Sequence, residues 1–211
     1  MKKKLIVVVL AVTVIASAAI GATLAYFFDS KEATNTFTVG NVQIRLDEPA
    51  WVASGQGDAP EVYPGEPLAK DPKVTNIGAN PCVVRLKVTM PTLPAGQGEV
   101  KIRTNGVIDA YDSTNWYKDG DYYYYLKPLK GTADAGKNPE LGTETSALFD
   151  HIVMPKELTN SLSLKGYGVI VTAEAIQAQG IFPSWSTIKN GIDPTTELSA
   201  VKTMFQNAFG H

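Results

Sequence analysis

Apolar and polar residues alternate in several short stretches of the chain, and segments rich in Gly, Pro and Asn separate them. A period of two marks a strand with one face in a core. The first such stretch is 35–49, with Phe37, Val39, Val42, Ile44 and Leu46 at its apolar positions. Gly40-Asn41 shifts the phase by one residue, as a β-bulge would. Residues 51–72 read as a polar loop. Two strand-like pieces then flank 76–81. In the second, Val84, Leu86 and Val88 share one face while Arg85 and Lys87 take the other, which predicts a half-exposed antiparallel strand. Residues 91–114 read as an insertion or long connection.

Asp119-Gly120 lies between aromatic-rich runs and predicts a hairpin. Tyr122, Tyr123, Tyr124 and Tyr125 put tyrosines on both faces of one strand. Two readings stand: cross-strand aromatic packing, or an outward face that binds carbohydrate or peptide. Residues 143–155 give another short strand with its turn, with Leu148, Phe149, Ile152 and Val153 as core positions. The stretch 167–176 is apolar on both faces and predicts a central strand. The period then changes. Asp193-Pro194-Thr195 is a helix-start pattern, Leu198, Val201, Met204, Phe205 and Ala208 fall on one helical face, and Gly210 ends the run. This predicts an amphipathic helix over 193–210, covering an edge or end of a sheet. Short strands, frequent turns and one terminal helix predict a mainly β protein: an antiparallel β-sandwich with a short C-terminal helix. The pattern does not separate immunoglobulin-like from jelly-roll connectivity.

The N-terminus obeys a different logic. Lys2, Lys3 and Lys4 precede a long apolar run that ends in small residues, the three-part order of a secretory signal peptide. The expected cut falls between Ala25 and Tyr26, leaving 26–211 as a single secreted domain. An uncleaved anchor is the alternative, because the run approaches membrane-spanning length. The membrane is expected as a partner only before cleavage. The three lysines are the only charged residues of 1–25, so their loss takes the formal net charge from -2 to -5. Low charge of that sign excludes nucleic-acid binding by phosphate neutralisation. A single cysteine, Cys82, excludes an internal disulfide framework; its strand setting predicts a buried, unpaired thiol.

Segment 21–49 has a small-residue turn, an aromatic cluster beside an acidic residue, and then an N-T-F-x-x-G strand. In this it resembles the TasA/camelysin family of secreted proteins of Gram-positive bacteria. Segments 63–88, 148–155 and 171–180 match less specifically. The resemblance implies a jelly-roll-like sandwich, processing by a SipW-type signal peptidase, and a place at the cell surface or in biofilm matrix. It also implies protein fibres in which an N-terminal segment of one subunit adds a strand to the next, to other copies of itself or to related matrix proteins. The candidate donor is 26–36 and its approach to Phe37, with Tyr26, Phe27, Phe28 and Phe37 as its apolar side chains. Those aromatics would equally suit a first strand within their own subunit.

Some members of the family are described as metalloproteases. A zinc protease of that kind needs two His one helical turn apart with a Glu beside the first. This chain has His151 and His211 alone, without that spacing. No phosphate loop, nucleophile elbow or other cofactor motif is found, so no catalytic, cofactor or metal residues are expected. Asp109, Asp112, Asp119 and Asp121 lack calcium-loop spacing and read as solvated turns. The expectation is a non-enzymatic structural protein; the alternative is a monomeric binding module for carbohydrate or protein, using the tyrosine strand or 91–114.

Overall fold

The computed structural model describes residues 41–59, 62–134, 136–159, 167–178 and 185–210. The expected signal segment, the expected cut between Ala25 and Tyr26, and the candidate donor positions Tyr26, Phe27, Phe28 and Phe37 lie outside them. The described chain is mostly β, in three antiparallel sheets with short helices, an arrangement consistent with a β-sandwich.

Strand β1 (Ile44–Asp47) is followed by a π-helical turn, Trp51–Gly55, that runs into α1 (Gln56–Asp58). Then come β2 (Pro67–Ala69), β3 (Lys73–Asn76), β4 (Cys82–Thr89), β5 (Lys101–Thr104), β6 (Val107–Ile108), β7 (Trp116–Asp119), β8 (Tyr122–Tyr125), β9 (His151–Val153) and β10 (Ile170–Gln177). Helices α2 (Trp185–Ile188) and α3 (Leu198–Phe209) close the chain. One sheet has the order β10-β4-β8-β7, a second β2-β9-β5-β6, and β1 pairs with β3.

Two regions expected to be loops carry structure. Within 51–72, the Asp71 carboxylate accepts the Ala50 N–H at 2.6 Å and so anchors the start of the helical turn, and Trp51 is buried. Within 91–114, β5 and β6 form a hairpin through Asn105-Gly106, both at positive φ (51° and 82°). Such a turn matches strand twist and favours Asn-Gly. Its signal is overt in the sequence but stands beside weakly apolar strands. The expected Asp119-Gly120 hairpin is present, with Asp119 opposite Tyr122 and Trp116 opposite Tyr125.

The sheet containing β4 is apolar on both sides, and this decides much of the fold. Cys82, Val84, Leu86, Tyr123, Tyr125, Val171, Ala173 and Ala175 enter the main core. Their neighbours in sequence, Val83, Tyr124 and Ile176, enter a second cluster with Leu198, Val201 and Phe205 of α3. Alternation in β4 is therefore real, but the face expected to meet solvent meets a helix. Arg85 is 1% exposed. The helix covers that sheet face, not an edge or end. Burial on both sides also accounts for the apolar content of β10, which was expected to be central: it stands at the end of the strand order, with β4 as its neighbour among the described residues.

The Asp193 pattern starts a turn, not the helix itself. Its carboxylate accepts the Thr195 N–H at 2.7 Å and hydroxyl at 2.6 Å, and α-helix begins at Leu198. Leu198, Val201 and Phe205 are buried as expected, while Ala208 is exposed and Phe209 packs in its place. Gly210, left-handed at φ 76°, caps the helix by donating its N–H to the Gln206 carbonyl.

Candidate functional site

The four consecutive tyrosines of β8 do not form an exposed platform. Tyr123, Tyr124 and Tyr125 are buried. Tyr123 meets Tyr111 edge-on at 5.1 Å between ring centres, and Tyr125 tilts against Trp116 at 4.9 Å. On the other face Tyr124 meets Phe205 at 5.9 Å. Tyr122 alone keeps partial exposure. Burial pushes its hydroxyl pKa up, against the downward pull of the Arg85 charge. Packing, the first of the two readings, describes the strand.

Beneath α3 sits a charged pair that the sequence pattern did not reveal. The Arg85 Nε donates to the Glu174 carboxylate at 2.6 Å. Arg85 and Glu174 are register partners on β4 and β10, so the ladder itself brings them together. The guanidinium lies 3.8 Å from the Tyr122 ring centre and 4.6 Å from that of Phe205, and Nη1 donates to the Tyr124 hydroxyl at 3.4 Å. An arginine between aromatic faces gains both cation–π attraction and flat packing. Here it ties helix, sheet and tyrosine strand together, a structural task. Lys202 of α3 adds an ion pair to Asp119 at the end of β7.

A second buried pair stands in the other part of the molecule. The Lys70 ammonium donates to Glu48 at 2.9 Å and lies 5.0 Å from the Trp51 ring centre. It joins the helical turn after β1 to the end of β2. Neither pair could be read from one-dimensional alternation, because the partners stand 89 and 22 positions apart in sequence.

The acidic residues of 109–121 are held separately. Asp109 pairs with Lys101, Asp112 accepts from Asn115 and Ser146, Asp119 pairs with Lys202, and Asp121 pairs with Lys87. Among the described residues, no group of three or more His, Cys, Asp or Glu could hold a metal ion. His151 does not stand in a zinc-ligand pattern; its Nδ1 lies 2.7 Å from the Asp150 carboxylate. That carboxylate also accepts the Asn105 N–H at 2.7 Å. Burial alone would push the Asp150 pKa up, but the bonds from His151 and Asn105 and the charges of His151 and Arg103 outweigh it, and the net shift is downward. Cys82 is free and fully buried, as expected, and burial pushes its thiol pKa far up.

Strand edges are the remaining candidate for function. Among the described residues β7 ends one sheet and β6 and β2 end another. An edge strand presents main-chain donors and acceptors along its outer side. On β7, Tyr117 is exposed; on β6, Val107 and Ile108 are exposed.

A family model described as camelysin metallo-endopeptidase matches residues 1–91. The match covers less than half of the 211-residue chain, and over those residues the chain is similar to the TasA/camelysin family. The match takes in the N-terminal segment and β1 through β4, and stops before the β5–β6 hairpin. The family is one of secreted or surface proteins. No curated protein and no solved structure matches the chain. Among the described residues no helix is long and apolar enough to cross a membrane.

Proposed function

We propose that this protein is a secreted structural subunit of the cell surface or biofilm matrix, assembling into fibres by β-strand addition. The observation that carries the reading is the TasA/camelysin match over residues 1–91, which joins the N-terminal segment to the first four strands of the sandwich. The physical basis is general: an extended segment satisfies the row of N–H and C=O groups on an edge strand, and alternate side chains set the register. In this reading 26–36 is the donor, and Tyr26, Phe27 and Phe28 supply the apolar side chains. A SipW-type signal peptidase releases the segment by cutting after Ala25, and the partner is another copy or a related matrix protein.

The reading is non-enzymatic. It is supported by the two histidines, His151 and His211, which lack zinc-protease spacing, and by the occupation of His151 by Asp150. Electron microscopy and size-exclusion chromatography of protein beginning at Tyr26 test the proposal. Fibres are expected. A monomer under all tested pH and salt conditions replaces it with the binding-module reading, and hydrolysis of a protein substrate that stops on chelation replaces it with the protease.

A further inference from the structure

The chain contains the same reactive dipeptide twice, and the fold treats the two copies differently. Asn105-Gly106 forms the tip of the β5–β6 hairpin, and Asn190-Gly191 follows α2. In any Asn-Gly pair the glycine nitrogen can attack the asparagine side-chain Cγ, because glycine has no Cβ to hinder the approach. The N–Cγ bond forms, the nitrogen gives up its proton to solvent, and the Cγ–Nδ2 bond breaks with loss of ammonia. Water then opens the cyclic imide. Addition at Cγ leaves aspartate, and addition at the former peptide carbonyl leaves isoaspartate. No electron is gained or lost.

At Asn190-Gly191 the reacting groups are engaged. The Gly191 N–H donates to the Ile188 carbonyl at 3.0 Å, and the Asn190 side-chain amide donates to the Ser186 carbonyl at 3.5 Å. The next residue is pinned as well, with the Ile192 N–H on the Leu126 carbonyl at 2.7 Å. At Asn105-Gly106 both residues are exposed. Among the described residues neither the Gly106 N–H nor the Asn105 side-chain amide has a partner, and the space beside the Gly106 Cα is open to 4 Å. Its nucleophile and leaving group are therefore both accessible to solvent.

We infer that Asn105-Gly106 is a site of spontaneous deamidation and isoaspartate formation in the native protein, and that Asn190-Gly191 is protected by its hydrogen bonds. The product matters locally. A carboxylate at 105 stands beside Asp150, whose oxygen accepts the residue-105 N–H. An isoaspartate also puts one more carbon into the main chain of a two-residue turn. Both changes weaken the pairing of Thr104 with Val107 and Arg103 with Ile108, so the modification loosens edge strand β6.

The test is to age the whole protein at mildly alkaline pH, digest it with trypsin, and follow peptides 104–118 and 190–202 by mass spectrometry and isoaspartyl methyltransferase labelling. Peptide 104–118 also contains Asn115-Trp116, a bulky-neighbour control. Protein unfolded in urea gives the reference, in which Asn105 and Asn190 should convert at similar rates. In native protein, Asn105 should convert about fivefold or more faster than Asn190, the factor expected from one net hydrogen bond on the nucleophile. Equal native rates, faster conversion at Asn190, or no native conversion of Asn105 while the unfolded chain converts would each overturn the inference.

Discussion

Removing the Glu174 carboxylate should cost far more than removing a surface charge. Arg85 and Glu174 have side chains only 2% and 10% exposed, and their atoms meet at 2.6 Å. In Glu174→Ala the guanidinium keeps its Tyr124 hydroxyl and its aromatic contacts, but loses the carboxylate while still desolvated. Deleting one partner of a buried pair costs about 3–5 kcal/mol. Arg85→Leu should cost a similar amount, since it takes from Glu174 the guanidinium it pairs with and removes the cation held between Tyr122 and Phe205. Arg85→Leu combined with Glu174→Ala removes both charges and leaves apolar side chains against aromatic ones. It should lose less than either single variant, with a coupling of about 2 kcal/mol or more between the two positions. Urea titrations followed by circular dichroism and by tyrosine and tryptophan fluorescence measure all four proteins, and equal slopes with denaturant show that the comparison is sound. If Glu174→Ala falls within about 0.5 kcal/mol of the parent, as surface substitutions do, or if the single effects simply add in the double variant, then the pair is not buried under α3 as described.

Two further outcomes follow from the cores and the hairpin. Cys82, fully buried and with its thiol pKa raised by desolvation, should react with a thiol reagent slowly in native protein and quickly in urea; fast native labelling or a covalent dimer would contradict this. Asp150 has its folded pKa lowered, so it stabilises the protein above the unfolded-state aspartate value, and that contribution is lost as pH falls through the folded value. Asp150→Asn should therefore flatten the acid limb of the stability profile, as read by urea titrations from neutral to acid pH; an unchanged acid limb would show that the His151 and Asn105 contacts do not favour the ionised form.

Legibility in the sequence followed the reach of each signal. The Asp119-Gly120 hairpin, the burial of Leu148, Phe149, Ile152 and Val153, and the apolar stripe of Leu198, Val201 and Phe205 were all readable, because turn chemistry and periodicity act over a few residues. The Arg85 face was misread because alternation reports that two faces differ, not what covers the second one. An arginine reads as solvent-facing until the Phe205 helix and Glu174 are placed on it, and both come from more than eighty residues away. The same helix accounts for the apolar residues on both faces of β10, which ends its sheet among the described residues. Within 91–114, the Asn105-Gly106 turn is the available clue to β5 and β6, and Lys101, Arg103 and Thr104 dilute the apolar pattern that would mark a strand. At the tyrosine strand, aromatic residues on both faces were compatible with packing or binding, and only burial distinguishes them.

The most direct test of the central claim compares mature protein, beginning at Tyr26, with the same protein lacking 26–31. Each would be examined by circular dichroism for fold and by electron microscopy for fibres, under identical pH and salt. Strand addition predicts fibres from the first and a folded monomer from the second, because the sandwich core lies downstream of the deletion. Identical fibres from the truncated protein would place assembly on another surface, and unfolding on truncation would assign Tyr26, Phe27 and Phe28 to their own subunit's core.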